Sequence, residues 1–373
     1  MSKTSIPIDV RRDLWFEAHG RCEMCNRPLY RDGLTMKKVN LSEYAHIIAD
    51  SPEGPRGDKE LSEKLCDKKE NLILLCKEHH KLIDDAGGVE MFGVKLLREL
   101  KRKHEERIEL VTGIQPNNKT LVVCYAPKVG DRQPPLTDKI TYDTIFPDYY
   151  PLTVEPIRLH PQNIPYTDAN IRYWDIHPDI LVQNFKNKLA DKINEVSHIT
   201  LFAIAPQPLL TLLGTLVGDM YPVEVLQKHR EPNTWKWPEN DIPVDNHFKI
   251  IEPEDQSKDP AILFAISGTE IIERVHTQFN SSLSYWIVTC DAPDRDMLQT
   301  RAHLAEFRTL VRKLINDINT KFIDRPIRIF PAMPISCAIE LGRIRLPKSD
   351  NPWIMFDLPK FEDTEYVETI TIQ

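Results

Sequence analysis

The first apolar pattern along the chain is helical. Val10, Leu14 and Ala18 recur four residues apart, Asp9 is a suitable N-cap and Gly20 a suitable terminator, so a helix is predicted to start near Asp9. Short strands are predicted through Tyr44-Ala-His46-Ile-Ile48, and residues 50–69 are polar, with Gly54, Pro55 and Gly57, and read as a long loop. Asn71-Leu-Ile-Leu-Leu-Cys76 is a continuous apolar run, either a strand or the entry into a helix starting near Lys77. A second helix is predicted over 94–110, and its charged face 101–107 reads as solvated. Residues 111–118 lose all periodicity, and Leu121-Val-Val-Cys-Tyr-Ala126 reads as a strand opening a new domain. The boundaries therefore fall at 1–112 and 121–373, with 113–120 as linker.

Beyond an irregular Pro-rich stretch at 127–166, strand and helix patterns alternate from about 179, which predicts an α/β architecture. One segment recurs there. Ile199-Thr-Leu-Phe-Ala-Ile-Ala-Pro206 through Gly214 aligns with Ile327-Arg-Ile-Phe-Pro-Ala-Met-Pro334 through Gly342, and both read strand, Pro turn, helix. The reading adopted is a duplicated Rossmann-like unit whose two turns face a shared ligand; the alternative is shared secondary structure alone.

Composition narrows the class. The chain has 373 residues, 41% apolar and 28% charged, enough for two folded domains and incompatible with wholesale disorder. Net charge is −8, but residues 1–115 hold 21 basic against 21 acidic side chains, leaving 27 against 35 in the remainder. The neutral part is the better candidate to meet a polyanion. The opening residues lack the apolar core of a signal peptide, and the charge-free run 199–218, broken by Pro206, Pro208 and Gly214, reads as strand, turn and helix rather than a membrane span. Seven cysteines form no disulfide pattern, so a reducing cytoplasm and no membrane partner are expected.

The strongest chemical signal is Cys22-x2-Cys25 with Cys76-x2-His79, two chelating pairs with the spacing of a structural zinc site. Cys66 competes only without a partner at chelating distance. Within the 50-residue gap lie His46 and Asn71, and His80 follows the second pair. The stretches Cys22-x2-Cys25, Glu43-Tyr-Ala-His46, Glu70-Asn71 and Cys76-x2-His79-His80, with the trailing helix, resemble the HNH (ββα-metal) endonucleases over residues 10–110. The resemblance implies an α+β zinc-stapled ββα-metal domain with His46 as general base, Asn71 holding the loop or orienting His46, and His80 binding Mg2+ or another divalent ion. The chemistry is coherent: phosphodiester hydrolysis needs a base for water and a cation at the phosphate. One departure stands out. Many HNH enzymes carry an Asp or His directly before the base, where this chain has Ala45; Glu43 or Asp50 is left to supply an oxygen, although strand alternation puts Glu43 opposite His46. Arg56 either clamps a DNA phosphate or is a solvated loop cation.

Residues 119–373 resemble, more loosely, the SAVED domain, an α/β fusion of two CARF/Rossmann-like halves that senses cyclic oligonucleotides. The residues carrying this are the repeated Phe202-x3-Pro206 and Phe330-x3-Pro334 turns, Trp235-Lys-Trp237-Pro and the Ser267-Gly268-Thr269 junction. That junction offers backbone N–H groups and a helix N-terminus to a phosphate, or is an ordinary capping turn. Gln207, Pro334 and Ser336 sit at the repeated turns, to reach a ligand or to cap; Trp237 is a stacking platform or packing. The order HNH then SAVED resembles the effector nucleases of bacterial cyclic-oligonucleotide anti-phage systems (CBASS). It implies a cytoplasmic bacterial enzyme that cuts double-stranded DNA in abortive infection. A cyclic di- or trinucleotide would drive a dimer or tetramer in which paired HNH sites cut both strands. The alternatives are a restriction-type HNH nuclease reading modified DNA, and a non-catalytic zinc module that binds DNA.

Overall fold

The computed structural model describes residues 5–129, 134–161, 168, 170, 172–193, 196–238, 246–358 and 365–373, so the N-terminal four residues and parts of the stretch 127–166 lie outside the described residues. The chain divides into two compact units, Met1–Pro116 and Asn117–Gln373. Among the described residues no helix is long and apolar enough to cross a membrane.

In the first unit, α1 (Ile8–Glu17) is followed by β1 (Ser42–His46), α2 (Leu61–Leu65), β2 (Leu72–Cys76), α3 (Lys77–Asp84), α4 (Ala86–Met91) and α5 (Val94–Thr112). Asp9 lies inside the first turn of α1, where Pro7 is the cap, whereas Gly20 adopts φ +61° and turns the chain into the cysteine loop. The apolar run 72–76 is a strand because it pairs antiparallel with β1, His46 opposite Leu72 and Glu43 opposite Leu75. Both strands stand on a small core of Leu14, Ala18, Leu29, Ile73, Leu75, Ile83 and Leu97. The charged face of α5 is less solvated than its sequence suggests. Lys101 is buried beside Glu23 and Glu105, and His104 is buried with Nε2 at 3.2 Å from the Ala18 carbonyl, because α5 packs back against the end of α1. Arg102 and Lys103 remain exposed, paired with Glu106 and Glu99.

The second unit contains β3 (Lys119–Tyr125), α6 (Asp138–Ile145), β4 (Tyr150–Pro151), β5 (Ile157–Arg158), α7 (Tyr173–Phe185), α8 (Asp191–Ile193), β6 (Ile199–Ala203), α9 (Gln207–Val217) and β7 (Val223–Val225) as its first half. Its second half runs β8 (Phe248–Ile251), β9 (Asp259–Ala265), α10 (Glu270–Phe279), β10 (Leu283–Cys290), α11 (Arg301–Lys321), β11 (Ile327–Ala332), α12 (Ile335–Arg343), β12 (Trp353–Asp357) and β13 (Val367–Ile372). The first sheet has the order β4-β3-β6-β7, all parallel; the second has β13-β12-β11-β9-β10-β8, parallel except for its two edges. In each half the chain leaves one strand in one direction and returns on its other side, which puts a topological switch point between β3 and β6 and another between β9 and β11.

The two halves meet through α9 and α12. A Cβ on Gly214 would overlap the Ile339 carbonyl oxygen, and a Cβ on Gly342 would overlap the Thr211 carbonyl oxygen. These contacts are reciprocal under the same residue offset as the sequence repeat, as a pseudo-twofold axis between duplicated helices requires. Arg343, nearly fully buried, ties the halves from the other side. Its Nε and Nη2 donate to the Gly218 and Tyr221 carbonyls at 3.0 and 3.1 Å, and its Nη1 to Glu340 at 2.6 Å. Gly214→Ala is therefore expected to destabilise the second unit by about 3 kcal/mol, since overpacking against backbone leaves no flexible atom to yield. A urea midpoint equal to that of the parent would contradict this helix contact.

Candidate functional site

Two sites emerge, one per unit. In the first, Cys22, Cys25, Cys76 and His79 bring one ligand atom each within 4.8 Å of one another. Arg21 to Asn26 form a tight turn, with the Asn26 amide donating to the Cys22 carbonyl at 2.7 Å, and Cys76 ends β2 as the cap of α3, with the His79 amide donating to its sulfur. His79 Nδ1 lies 3.5 Å from Cys22 Sγ and 3.3 Å from Cys76 Sγ, close to the roughly 3.6 Å edge expected of a tetrahedral zinc with thiolate and imidazole ligands. Burial pushes the Cys22 and Cys76 thiols up, so a cation is what would hold them as thiolates. Cys66 is not part of this cluster; its thiol donates to the Glu63 carbonyl at 3.1 Å.

The Cys66 backbone has another task. His46 Nε2 lies 2.8 Å from the Cys66 carbonyl oxygen. A carbonyl only accepts, so Nε2 carries a hydrogen, and in the neutral ring the lone pair lies on Nδ1. Asn71 does not touch the ring. Its fully buried amide accepts from Ile48 N at 2.9 Å and donates to the Ile48 and Leu65 carbonyls, closing the long loop that presents Cys66. Its bonds go to the loop and not to the ring.

His80 sits in an open pocket of about 520 Å3 lined by Glu43, Lys77, Lys81, Asp84 and Asp85. Its Nε2 is 3.3 Å from Asp84 and its Nδ1 4.0 Å from Glu43. Neither His46 nor Asp50 lines this pocket. Asp84 escaped the sequence reading, although a carboxylate four residues beyond a histidine on one helix was a usable signal. Burial pushes its carboxyl up, but hydrogen bonds from His80 and Arg56 outweigh that and hold it below the ordinary value. Arg56 is the correction in this unit. Its side chain is only 4% exposed, and it donates to the Ile47 carbonyl at 2.8 Å, to the Ile83 carbonyl, to Asp84 at 2.6 Å and to the His46 carbonyl at 3.4 Å. Four of its five N–H donors are thus engaged inside the unit, so the buried guanidinium is not the free loop cation that a phosphate clamp needs. Its backbone adopts a left-handed φ of +54°. Arg56 instead fixes the end of β1 to the end of α3.

In the second unit the switch-point crevices face one another. Gln207 at the first repeated turn donates to the Met333 carbonyl at 3.0 Å and accepts from Met333 N at 3.2 Å, which joins it to the second turn. The carboxyl ends of β3, β6, β9 and β11 therefore converge on one region, where open α/β sheets hold their ligands. Tyr125, at the end of β3, places a buried hydroxyl there with no hydrogen-bond partner among the described residues, and burial holds its pKa well above the ordinary value.

Several expected ligand contacts are corrected. The Gln207 amide gives one donor and one acceptor to Met333. Fully buried Ser336 donates its hydroxyl to Gln227 at 2.7 Å and its amide to the same oxygen, and Pro334 is the buried cap of α12. In this structure these polar groups bond within the domain and join its two halves. At Ser267-Gly268-Thr269 the Ser267 amide donates to the Ala332 carbonyl, and the first turn of α10 already carries Glu270 and Glu273, with Glu270 folded over Gly268. Those carboxylates already place negative charge at this helix N-terminus. Trp237 is buried with Nε1 donating to the Val225 carbonyl, and it lines a cavity of about 630 Å3 among the amino ends of β3, β6 and β7, away from the crevices.

Two Rossmann-like halves joined across their switch points define a double α/β domain. The model of the SAVED family, the "SMODS-associated and fused to various effectors sensor domain", matches residues 181–372, and the chain belongs to that family. Among solved structures the chain is similar to the Acinetobacter baumannii Cap4 SAVED/CARF-domain containing receptor with the cyclic trinucleotide 2'3'3'-cAAA, at 14% identity and TM-score 0.40, over 84% of this chain and 66% of that one. The same receptor with 3'3'3'-cAAA gives 13% and 0.40, over 85% and 67%. The Moraxella osloensis Cap4 receptor gives 11% and 0.38, over 85% and 70%. The chain thus spans just under two thirds of the first of these. No curated protein matches the sequence.

Proposed function

We propose that the chain is a DNA endonuclease switched on when a cyclic oligonucleotide binds its SAVED domain. The observation that carries this is the arrangement at the end of β1: a histidine with its basic nitrogen defined by the Cys66 carbonyl, and across the strand a Glu43, His80, Asp84 pocket, both tied to Arg56. Phosphodiester hydrolysis needs a base for the attacking water and a cation at the phosphate, and the end of β1 supplies a candidate for each. Glu43, His80 and Asp84 offer two carboxylates and an imidazole, a donor set suited to Mg2+ or Mn2+. Such an ion, when bound, supplies charge neutralisation at the phosphate. Glu43 then takes the part that Ala45 cannot. His46 Nδ1 accepts the proton of the water, Cys66 and Asn71 hold the ring and loop, and Arg56 keeps the two faces in register. The zinc held by Cys22, Cys25, Cys76 and His79 is a staple for a unit with a small core.

Membership of a sensor family supports the gate, since a second unit dedicated to ligand binding has little use in an unregulated cutter. Duplex DNA is the substrate, and a ligand-driven dimer or tetramer places two sites on opposite strands. The test incubates full-length protein with plasmid, Mg2+ and a panel of cyclic di- and trinucleotides, beginning with 3'3'3'-cAAA. Double-strand cleavage with one nucleotide and little without is expected. Complete digestion without any nucleotide would remove the gate; cleavage that depends only on base modification would favour the restriction-type reading.

A further inference from the structure

Residues 29–41 form an antiparallel ribbon that neither the zinc staple nor the candidate active site uses. Leu41 N donates to the Leu29 carbonyl, Val39 N to that of Tyr30 and Asp32 N to that of Lys37, at 2.8, 3.1 and 2.9 Å, and Arg31 bridges to Lys38. Asp32 closes the tip by accepting from the Leu34 and Thr35 amides and the Thr35 hydroxyl, while Met36 takes φ +58°. Leu29 anchors the base in the unit's core. The projection is thus built rather than loose.

Its surface is unusual in two ways at once. Every residue from 33 to 40 is exposed, with Leu34 at 91% and Met36 at 57%, and Tyr30 and Val39 are exposed below them. Arg31, Lys37 and Lys38 form no ion pair among the described residues, and the single acid of the ribbon, Asp32, is consumed by the tip. An apolar tip by itself would fit many partners. Three unpaired cations around it, in a chain of net charge −8, fit a polyanion.

We infer that this ribbon is a docking arm for duplex DNA, an inference that rests on the endonuclease reading. A two-stranded ribbon matches the width of the major groove, roughly 12 Å. Alternation puts Arg31 and Lys38 on one face and Lys37 on the other, so the two faces meet the phosphates of the flanking strands. Leu34 and Met36 at the tip face the bases, where apolar side chains touch thymine methyls or wedge a base step. The ribbon strand continues directly into β1. At about 3.3 Å per residue, Val39 and His46 are at most ~23 Å apart, less than one helical turn of B-DNA. One duplex can therefore fill the active site and the ribbon together.

The experiment measures binding of the full chain, carrying His46→Ala to prevent cutting, to a fluorescent 30-base-pair duplex across a salt series. Arg31→Ala/Lys37→Ala/Lys38→Ala is expected to weaken binding at least tenfold at 0.1 M salt and to lower the salt slope by about 2.7, the release expected for three phosphates. Leu34→Ala is expected to weaken binding with the slope unchanged. Arg102→Ala/Lys103→Ala, on the paired face of α5, is expected to stay within twofold. If the parent binds and the triple variant binds equally, the arm is wrong and the endonuclease reading stands; if the parent binds no duplex, both fall. If the triple variant keeps DNA but loses binding to phosphatidylserine vesicles, the ribbon is a membrane arm and the inference is overturned.

Discussion

His46→Ala is expected to reduce DNA cleavage by a factor of about 10^2 to 10^4, the range for losing a general base, with zinc content and thermal unfolding unchanged. The ring is half-buried at the end of β1 and bonds to a loop carbonyl, so truncation removes little packing. What it removes is the lone pair on Nδ1. The effect is therefore expected in the single-turnover rate, with the Mg2+ requirement unchanged. His80→Ala and Asp84→Ala are expected to do the reverse, raising the Mg2+ concentration needed for half-maximal rate, because those side chains line the pocket proposed to hold the cation. A split of this kind separates the two faces of β1. If His46→Ala cuts within a few-fold of the parent, no base acts there, and the non-catalytic zinc-module reading gains.

The parts of this site that were legible in the sequence are those fixed by local spacing. Cys22-x2-Cys25 and Cys76-x2-His79 each close a tight turn, so their convergence needs one pairing of β2 with the cysteine loop, where Glu23 N donates to the Leu74 carbonyl. The repeat around Gly214 and Gly342 was legible because two helices in backbone contact tolerate only glycine there. The roles of Arg56 and Gln207 were not legible. Each looks like a free polar side chain in a loop or turn, and only the tertiary fold supplies the carbonyls they donate to. Glu43 shows the same limit from the other side. Alternation correctly separates it from His46, yet that separation is what puts it on the face of α3, beside His80. A sequence shows which face a residue occupies, and not which helix covers that face.

The second large effect concerns the staple. Removing zinc with a strong chelator, or replacing Cys76 by serine, is expected to unfold the first unit while the second keeps its own transition. The N-terminal core is short of apolar side chains, and Cys22 and Cys76 are themselves buried members of it. Structural zinc contributes on the order of 10 kcal/mol or more in small domains, comparable to the whole stability of one. Without the ion the buried thiols reprotonate, and β2, α3 and the cysteine loop lose their common anchor. Elemental analysis is expected to find one zinc per chain, and calorimetry two transitions of which only one responds to chelation. Cys66→Ser, outside the cluster, serves as the control and is expected to leave both transitions in place. Protein that carries no zinc and whose unfolding ignores the chelator would overturn the staple. The His46–Cys66 bond would then have to be held by the Asn71 loop alone, and nuclease activity should survive chelation followed by Mg2+ replenishment.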